Sequence, residues 1–101
     1  MGKEVRWTNE ALTTFELVID YLNNKWTDNE IENFIFATNK CVIFIAQNPR
    51  LFRETNIKNV HEALITSHNL LIYKVYPTHI DLITFWDTRQ NPIKKIIKKD
   101  G

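Results

Sequence analysis

With a single cysteine, the chain can form no intramolecular disulfide and no cysteine-based metal site. Two glycines and three prolines in 101 residues leave no flexible or proline-rich linker and no visible internal repeat. No apolar run approaches the roughly 18 residues of a membrane-spanning helix. The opening MGKEVRW has no apolar signal region. These absences argue against secreted, fibrous and membrane classes and point to one cytoplasmic domain. Cys41, set in KCVIFIA, reads as a small buried hydrophobe.

Hydrophobic residues make up 44% of the chain, enough for one core and too few for two. The formal net charge of +1 conceals an asymmetry. Residues 1–47 carry four Lys or Arg against seven acids, whereas residues 48–101 carry nine against five. The C-terminal half is therefore the end that attracts nucleic acid or an acidic protein segment.

KEVRW is short, β-branched and aromatic, and Thr8 follows it as a helix N-cap. Ala11, Phe15, Val18, Ile19, Leu22 and Trp26 then recur at helical spacing, so an amphipathic helix is expected. TDNE has the capping-box spacing that opens a second helix, whose inner face is Ile31, Phe34, Thr38, Cys41, Val42 and Ile45. Pro49 ends it by residue 48. The short connection makes the pair an antiparallel hairpin. Ile35, Phe36, Ile43 and Phe44 add a second apolar stripe: either the helix is buried on both sides, or it presents a patch to a partner.

From residue 57 the texture changes to IKNVHEALIT, LLIYKVY and HIDLITFW, separated by the turn residues SHN and PT. The expected fold class is α+β: an N-terminal strand, the helical hairpin, and a three-stranded antiparallel meander in one sheet with the helices on one face. Residues 1–93 form the domain and 94–101 a basic tail with four lysines and one acid.

Four pieces, in this order, resemble the RelE/ParE superfamily of toxins from bacterial type II toxin-antitoxin systems, the plasmid stabilisation family. They are VRWTNEA leading into a helix, the proline closing the second helix, NVHEALIT followed by HNLLIYKV, and the final IDLITFWDTRQNP. The resemblance spans roughly residues 5–93. It implies a cytosolic toxin without a cofactor, encoded beside an antitoxin that wraps and neutralises it. It also implies one of two mechanisms, ribosome-dependent mRNA cleavage (RelE-like) or inhibition of DNA gyrase (ParE-like).

Metal-free RNA cleavage needs a base for the 2′-hydroxyl, cations for the phosphorane charge and an acid for the leaving oxygen. By resemblance, His61 stands where many members carry an arginine, and Asp87, Arg89 and Gln90 end the last strand. His61, Asp87 and Arg89 are thus the catalytic candidates. The alternatives are a half-exposed strand histidine and an Asp87–Arg89 pair that fixes a turn. Target-binding candidates are Arg50, Arg53, Lys74, Gln90 and the tail lysines Lys94, Lys95, Lys98 and Lys99. Ile35, Phe36, Ile43 and Phe44 are the implied antitoxin-binding stripe. The three tryptophans read as packing residues. His68 and His79 sit at turns without acidic or cysteine neighbours at ligand spacing, so metal binding is not expected. No tyrosine or histidine follows His79, so the late residue of the RelE-like site is missing. Gyrase inhibition without catalysis is therefore favoured over mRNA cleavage, with a non-toxic antitoxin-binding module as a third class.

Overall fold

The computed structural model describes residues 2–25 and 28–88. Strand β1 (Glu4–Trp7) leads into helix α1 (Asn9–Lys25) and helix α2 (Asp28–Gln47). The chain continues through β2 (Arg53–Glu54), β3 (Val60–Thr66), β4 (Asn69–Val75) and β5 (His79–Asp87). The five strands form one sheet in the order β1-β5-β4-β3-β2. The expected meander is β3-β4-β5, paired antiparallel throughout. Two features were not anticipated. Strand β1 runs parallel to β5, with Val5 opposite Ile80 and Trp7 opposite Leu82, and two-residue β2 extends the far edge.

Helix α1 starts where its sequence says it should. The Ala11 amide donates to Thr8 Oγ1 at 3.1 Å, while that hydroxyl donates to the Leu82 carbonyl at 2.7 Å. One side chain therefore caps the helix and ties it to β5. Beyond Leu82, β5 has lost β1 as a neighbour, and the Thr14 hydroxyl takes over by accepting from the Phe85 amide at 2.9 Å. At the other end the Lys3 amide donates to the Ala46 carbonyl at 2.9 Å. A Cβ on Gly2 would lie 2.8 Å from that same oxygen, so the approach of the N-terminus to α2 requires glycine there.

The core lies between the hairpin and one face of the sheet. Ala11, Val18 and Leu22 of α1 meet Phe34, Cys41 and Ile45 of α2 over Ala63, Leu71, Tyr73, Ile80, Leu82 and Phe85. Trp7, Phe15, Phe34 and Phe85 form its aromatic centre, with ring centroids 5.3 to 6.1 Å apart. Each buried aromatic of this kind contributes about 2–3 kcal/mol. Leu82 and Phe85 both face the helices although they are three apart. A β-bulge permits this: Tyr73 pairs with Leu82 and Ile72 with Thr84, which leaves Ile83 as the extra residue.

Residues 57–59, expected in the first meander strand, instead form a turn. Asn59 adopts φ 66°, a left-handed conformation that asparagine tolerates, and the Val60 amide donates to the Ile57 carbonyl at 3.1 Å. Trp26 and the capping Thr27 lie outside the described residues, as does the segment from Arg89 onward.

Candidate functional site

Side chains alternate along a strand, so the register decides which groups share the sheet face turned away from the helices. Across that face Arg6 is opposite Asp81, and Asp81 is opposite Lys74. One step along, Glu4 is opposite His79. Arg53 is opposite Glu62, placing both on the same face at its other edge.

At the β1-β5-β4 end these groups make contact. His79 Nε2 lies 3.5 Å from Asp81 Oδ1, and His79 Nδ1 is 2.9 Å from the Thr78 hydroxyl. The Tyr76 ring stacks on His79 with centroids 4.7 Å apart, and Lys74 Nζ sits 5.1 Å from the Tyr76 ring centre. The Lys3 ammonium donates to the Tyr76 carbonyl at 2.8 Å. Arg6 and Glu4 form an ion pair at 3.4 Å with both side chains more than half exposed, so it adds little stability. The cluster thus holds an imidazole fixed by the Thr78 hydroxyl and the Tyr76 ring, with the Asp81 carboxylate 3.5 Å away, together with Glu4 and three cations. Chemically it can bind an anionic target, and His79 with Asp81 resembles a base with its orienting acid.

Sequence reasoning passed over His79 as lacking an acidic neighbour. Asp81, two residues on, is that neighbour, and strand alternation was the available signal. Arg6 was missed because the parallel β1–β5 pairing is not local, and Tyr76 because its contact with His79 forms across the β4–β5 turn. Lys74 is where the alternation argument placed it, opposite in facing to Tyr73.

The expected catalytic residues are not brought together. His61 is 3% exposed and lies on the helix-facing side, beneath residues 49–52. Its ring stacks on Tyr73 at 5.3 Å, and its Nδ1 is 2.9 Å from the Phe52 carbonyl, which fixes Nδ1 as the protonated nitrogen. Nε2 is buried without a hydrogen-bond partner among the described residues. The half-exposed reading of His61 is corrected: the loop after α2 covers it. Tyr73 beneath it is fully buried, and its hydroxyl donates to the Pro49 carbonyl at 2.7 Å. Burial, reinforced by nearby Cys41, pushes the Tyr73 phenol well above its usual range. Burial likewise raises the Cys41 thiol to about 11.

Asp87 lies at the opposite end of the sheet, opposite Asn69, and is 8% exposed. It lines a cleft of about 260 Å³ with Glu10, Thr14, Tyr21 and Trp86, on the α1 side. Arg89, Gln90, Lys94, Lys95, Lys98 and Lys99 fall outside the described residues. Arg50 and Arg53 are both at or near β2, where Arg50 donates to the Asn59 side chain at 3.1 Å. Trp7 packs in the core as expected, whereas Trp86 alternates with Phe85 and Asp87 and stays partly exposed.

The second apolar stripe of α2 is on the surface. Phe34, Thr38, Cys41 and Ile45 are buried, while Ile35, Phe36, Ile43 and Phe44 are 37%, 68%, 56% and 43% exposed. The helix therefore packs through one face only, which settles the choice between a doubly buried helix and a presented patch. Among the described residues, no helix is long and apolar enough to cross a membrane, and no group of three or more His, Cys, Asp or Glu side chains is placed to hold a metal.

No family model matches the chain, and neither does any curated protein. Solved structures do. A chromosomal ParDE toxin-antitoxin system from P. aeruginosa matches with TM-score 0.70 and 10% identity over 84% of this chain and 95% of that one. The E. coli toxin RelE, as a double arginine-to-alanine mutant in the free state, matches with TM-score 0.65 and 14% identity over 99% and 98%. The E. coli DinJ-YafQ complex matches with TM-score 0.55 and 10% identity over 86% and 94%. The chain has the fold of RelE/ParE toxins.

Proposed function

We propose that this protein is the toxin of a type II toxin-antitoxin pair, and that it arrests growth by binding a macromolecular target, as ParE-like toxins bind DNA gyrase, without catalysis. Two of the solved structures with this fold are a toxin-antitoxin system and a toxin-antitoxin complex, which supports an antitoxin as the partner. On this chain the antitoxin covers Ile35, Phe36, Ile43 and Phe44, the exposed stripe of α2. The cation-bearing sheet face, with Lys74, Arg6 and Arg53, and the lysine tail are the target-binding surfaces.

One observation carries the non-catalytic reading: the RelE-like acid-base set is dispersed. His61 is stacked in the core under the loop after α2, and Asp87 is buried at the far end of β5. Neither reaches a phosphate on the open sheet face. Growth arrest on induced expression, together with inhibition of gyrase supercoiling by the purified chain, is the expected result. Removal of Lys94–Gly101 should weaken the inhibition. Normal supercoiling at micromolar protein would remove gyrase as the target.

The His79–Asp81 contact gives one alternative specific support, ribosome-dependent mRNA cleavage. There His79 would take the 2′-hydroxyl proton while Asp81 holds the ring and Lys74 faces the phosphate. His79→Ala separates the two readings, since it abolishes arrest in the second and only weakens it in the first, where Lys74, Arg6 and Arg53 remain.

A further inference from the structure

A cavity of about 250 Å³ opens between the two helices and the β3–β4 turn, at the opposite end of the sheet from His79. Leu22 and Phe34 form its apolar wall, while Glu30, Asn33, Ser67 and Asn69 supply polar groups. Asn69 is 3% exposed. Its Nδ2 donates to Thr66 Oγ1 at 2.9 Å, and the His68 amide donates to the same hydroxyl at 3.5 Å. The other end of the Asn69 amide, Oδ1, is buried without a hydrogen-bond partner among the described residues. Burying an acceptor is unfavourable until a donor meets it, so this wall of the cavity suits an N–H group.

The rim sets the charge of that donor. Glu30 is exposed where it lines the cavity, and Asp28 stands beside it in the first turn of α2. Two carboxylates outweigh the roughly half-unit positive charge of a helix start, so the mouth is net negative. Neither lysine nor arginine lines the cavity among the described residues. A bare metal ion does not fit, because no group of three or more His, Cys, Asp or Glu side chains is placed there to hold it. The volume falls below the roughly 300–1,000 Å³ of drug-sized pockets, which suits a group no larger than one long side chain. We propose that the cavity binds a small aliphatic cation with N–H donors, an alkylguanidinium or alkylammonium group. One N–H donates to Asn69 Oδ1, the charge lies against Glu30, and the alkyl stem packs on Leu22 and Phe34. The site is separate from the sheet face that carries the proposed target binding and does not rest on it.

Titration of the full chain with agmatine, an alkylguanidinium, followed by amide chemical shifts, tests the site. The expected result is saturable shifts confined to residues 30–34 and 66–69. Glu30→Gln should weaken binding by roughly 10-fold or more, the worth of a hydrogen bond to a charged group. Residue 30 is exposed and glutamine keeps the capping-box pattern, so this variant stays folded. Asn69→Ala should abolish saturation; because Asn69 is buried, circular dichroism checks that fold, and Glu30→Gln decides if it is lost. Tetramethylammonium, a cation without N–H donors, should not saturate. No saturation by agmatine at millimolar concentration overturns the proposal, as does an equal response to tetramethylammonium or to the Glu30→Gln variant. A blocked Gly-Arg-Gly peptide presents the same group as a side chain. Tighter binding than agmatine would assign the cation to an arginine of a partner protein and weaker binding to a free amine, and both outcomes support the site.

Discussion

Replacing His61 with phenylalanine and with alanine separates a core role from a chemical one. Phenylalanine keeps the ring that stacks on Tyr73 with centroids 5.3 Å apart, and loses the hydrogen bond to the Phe52 carbonyl. That bond is worth about 1 kcal/mol. The same change removes Nε2, a buried nitrogen without a partner among the described residues, whose desolvation costs a similar amount. The two effects offset, so His61→Phe should stay within about 1 kcal/mol of wild type. His61→Ala removes the whole ring from a 3% exposed site and leaves a cavity, which costs about 3 kcal/mol. With a urea slope near 1.5 kcal/mol/M, the alanine midpoint should fall by about 2 M and the phenylalanine midpoint by less than about 1 M. Urea unfolding followed by tryptophan fluorescence reads both. Growth arrest on induction should then survive in the phenylalanine variant and decline in the alanine variant only with the amount of folded protein. A phenylalanine variant that is as stable as wild type yet as harmless as the alanine variant would refute the reasoning. The imidazole itself would then be required.

Thr8→Ala removes both the α1 cap and the bond to the Leu82 carbonyl, and should cost about 1–2 kcal/mol in the same urea assay. Tyr73→Phe keeps the ring and deletes the 2.7 Å bond to the Pro49 carbonyl, for a loss of about 1 kcal/mol. Cys41 should resist a thiol reagent at pH 8 in the native protein and react on unfolding, because burial raises it from 9.0 to about 11. The folded state holds that proton more tightly than the unfolded chain does. Its contribution is therefore complete below pH 9 and lost as the pH rises towards about 11, a decline that Cys41→Ala should reduce in urea titrations. Asp81→Asn removes a negative charge opposite Arg6 and Lys74 as well as the contact to His79, so it should preserve arrest if that face only binds an anionic target; a complete loss would favour RNA cleavage.

Local signals located most of the fold. Thr8 marks the start of α1, Pro49 follows the end of α2, and period-3.6 spacing identified Phe34, Thr38, Cys41 and Ile45 as the buried face. Alternation likewise set Lys74 and Tyr73 on opposite faces. What failed was non-local or rested on a single backbone angle. Ile57, Lys58 and Asn59 look strand-like, but Asn59 turns at φ 66° and delays β3 to Val60. The parallel pairing of β1 with β5 joins residues more than 70 positions apart and leaves no mark in either segment. The candidate site suffered most from this. His61 was placed by its resemblance to an arginine position, whereas its exposure depends on a loop that folds over it. The His79–Asp81 pair lay in the alternation of β5 but was masked by the turn beside it.

The most direct test of the non-catalytic account is cell-free translation of a defined message with the purified, antitoxin-free protein, followed by mapping of the message's 5′ ends. The account predicts an intact message and no new ends, with or without ribosomes. Ribosome-dependent cuts would contradict it and would make His79, Asp81 and Lys74 the residues to explain.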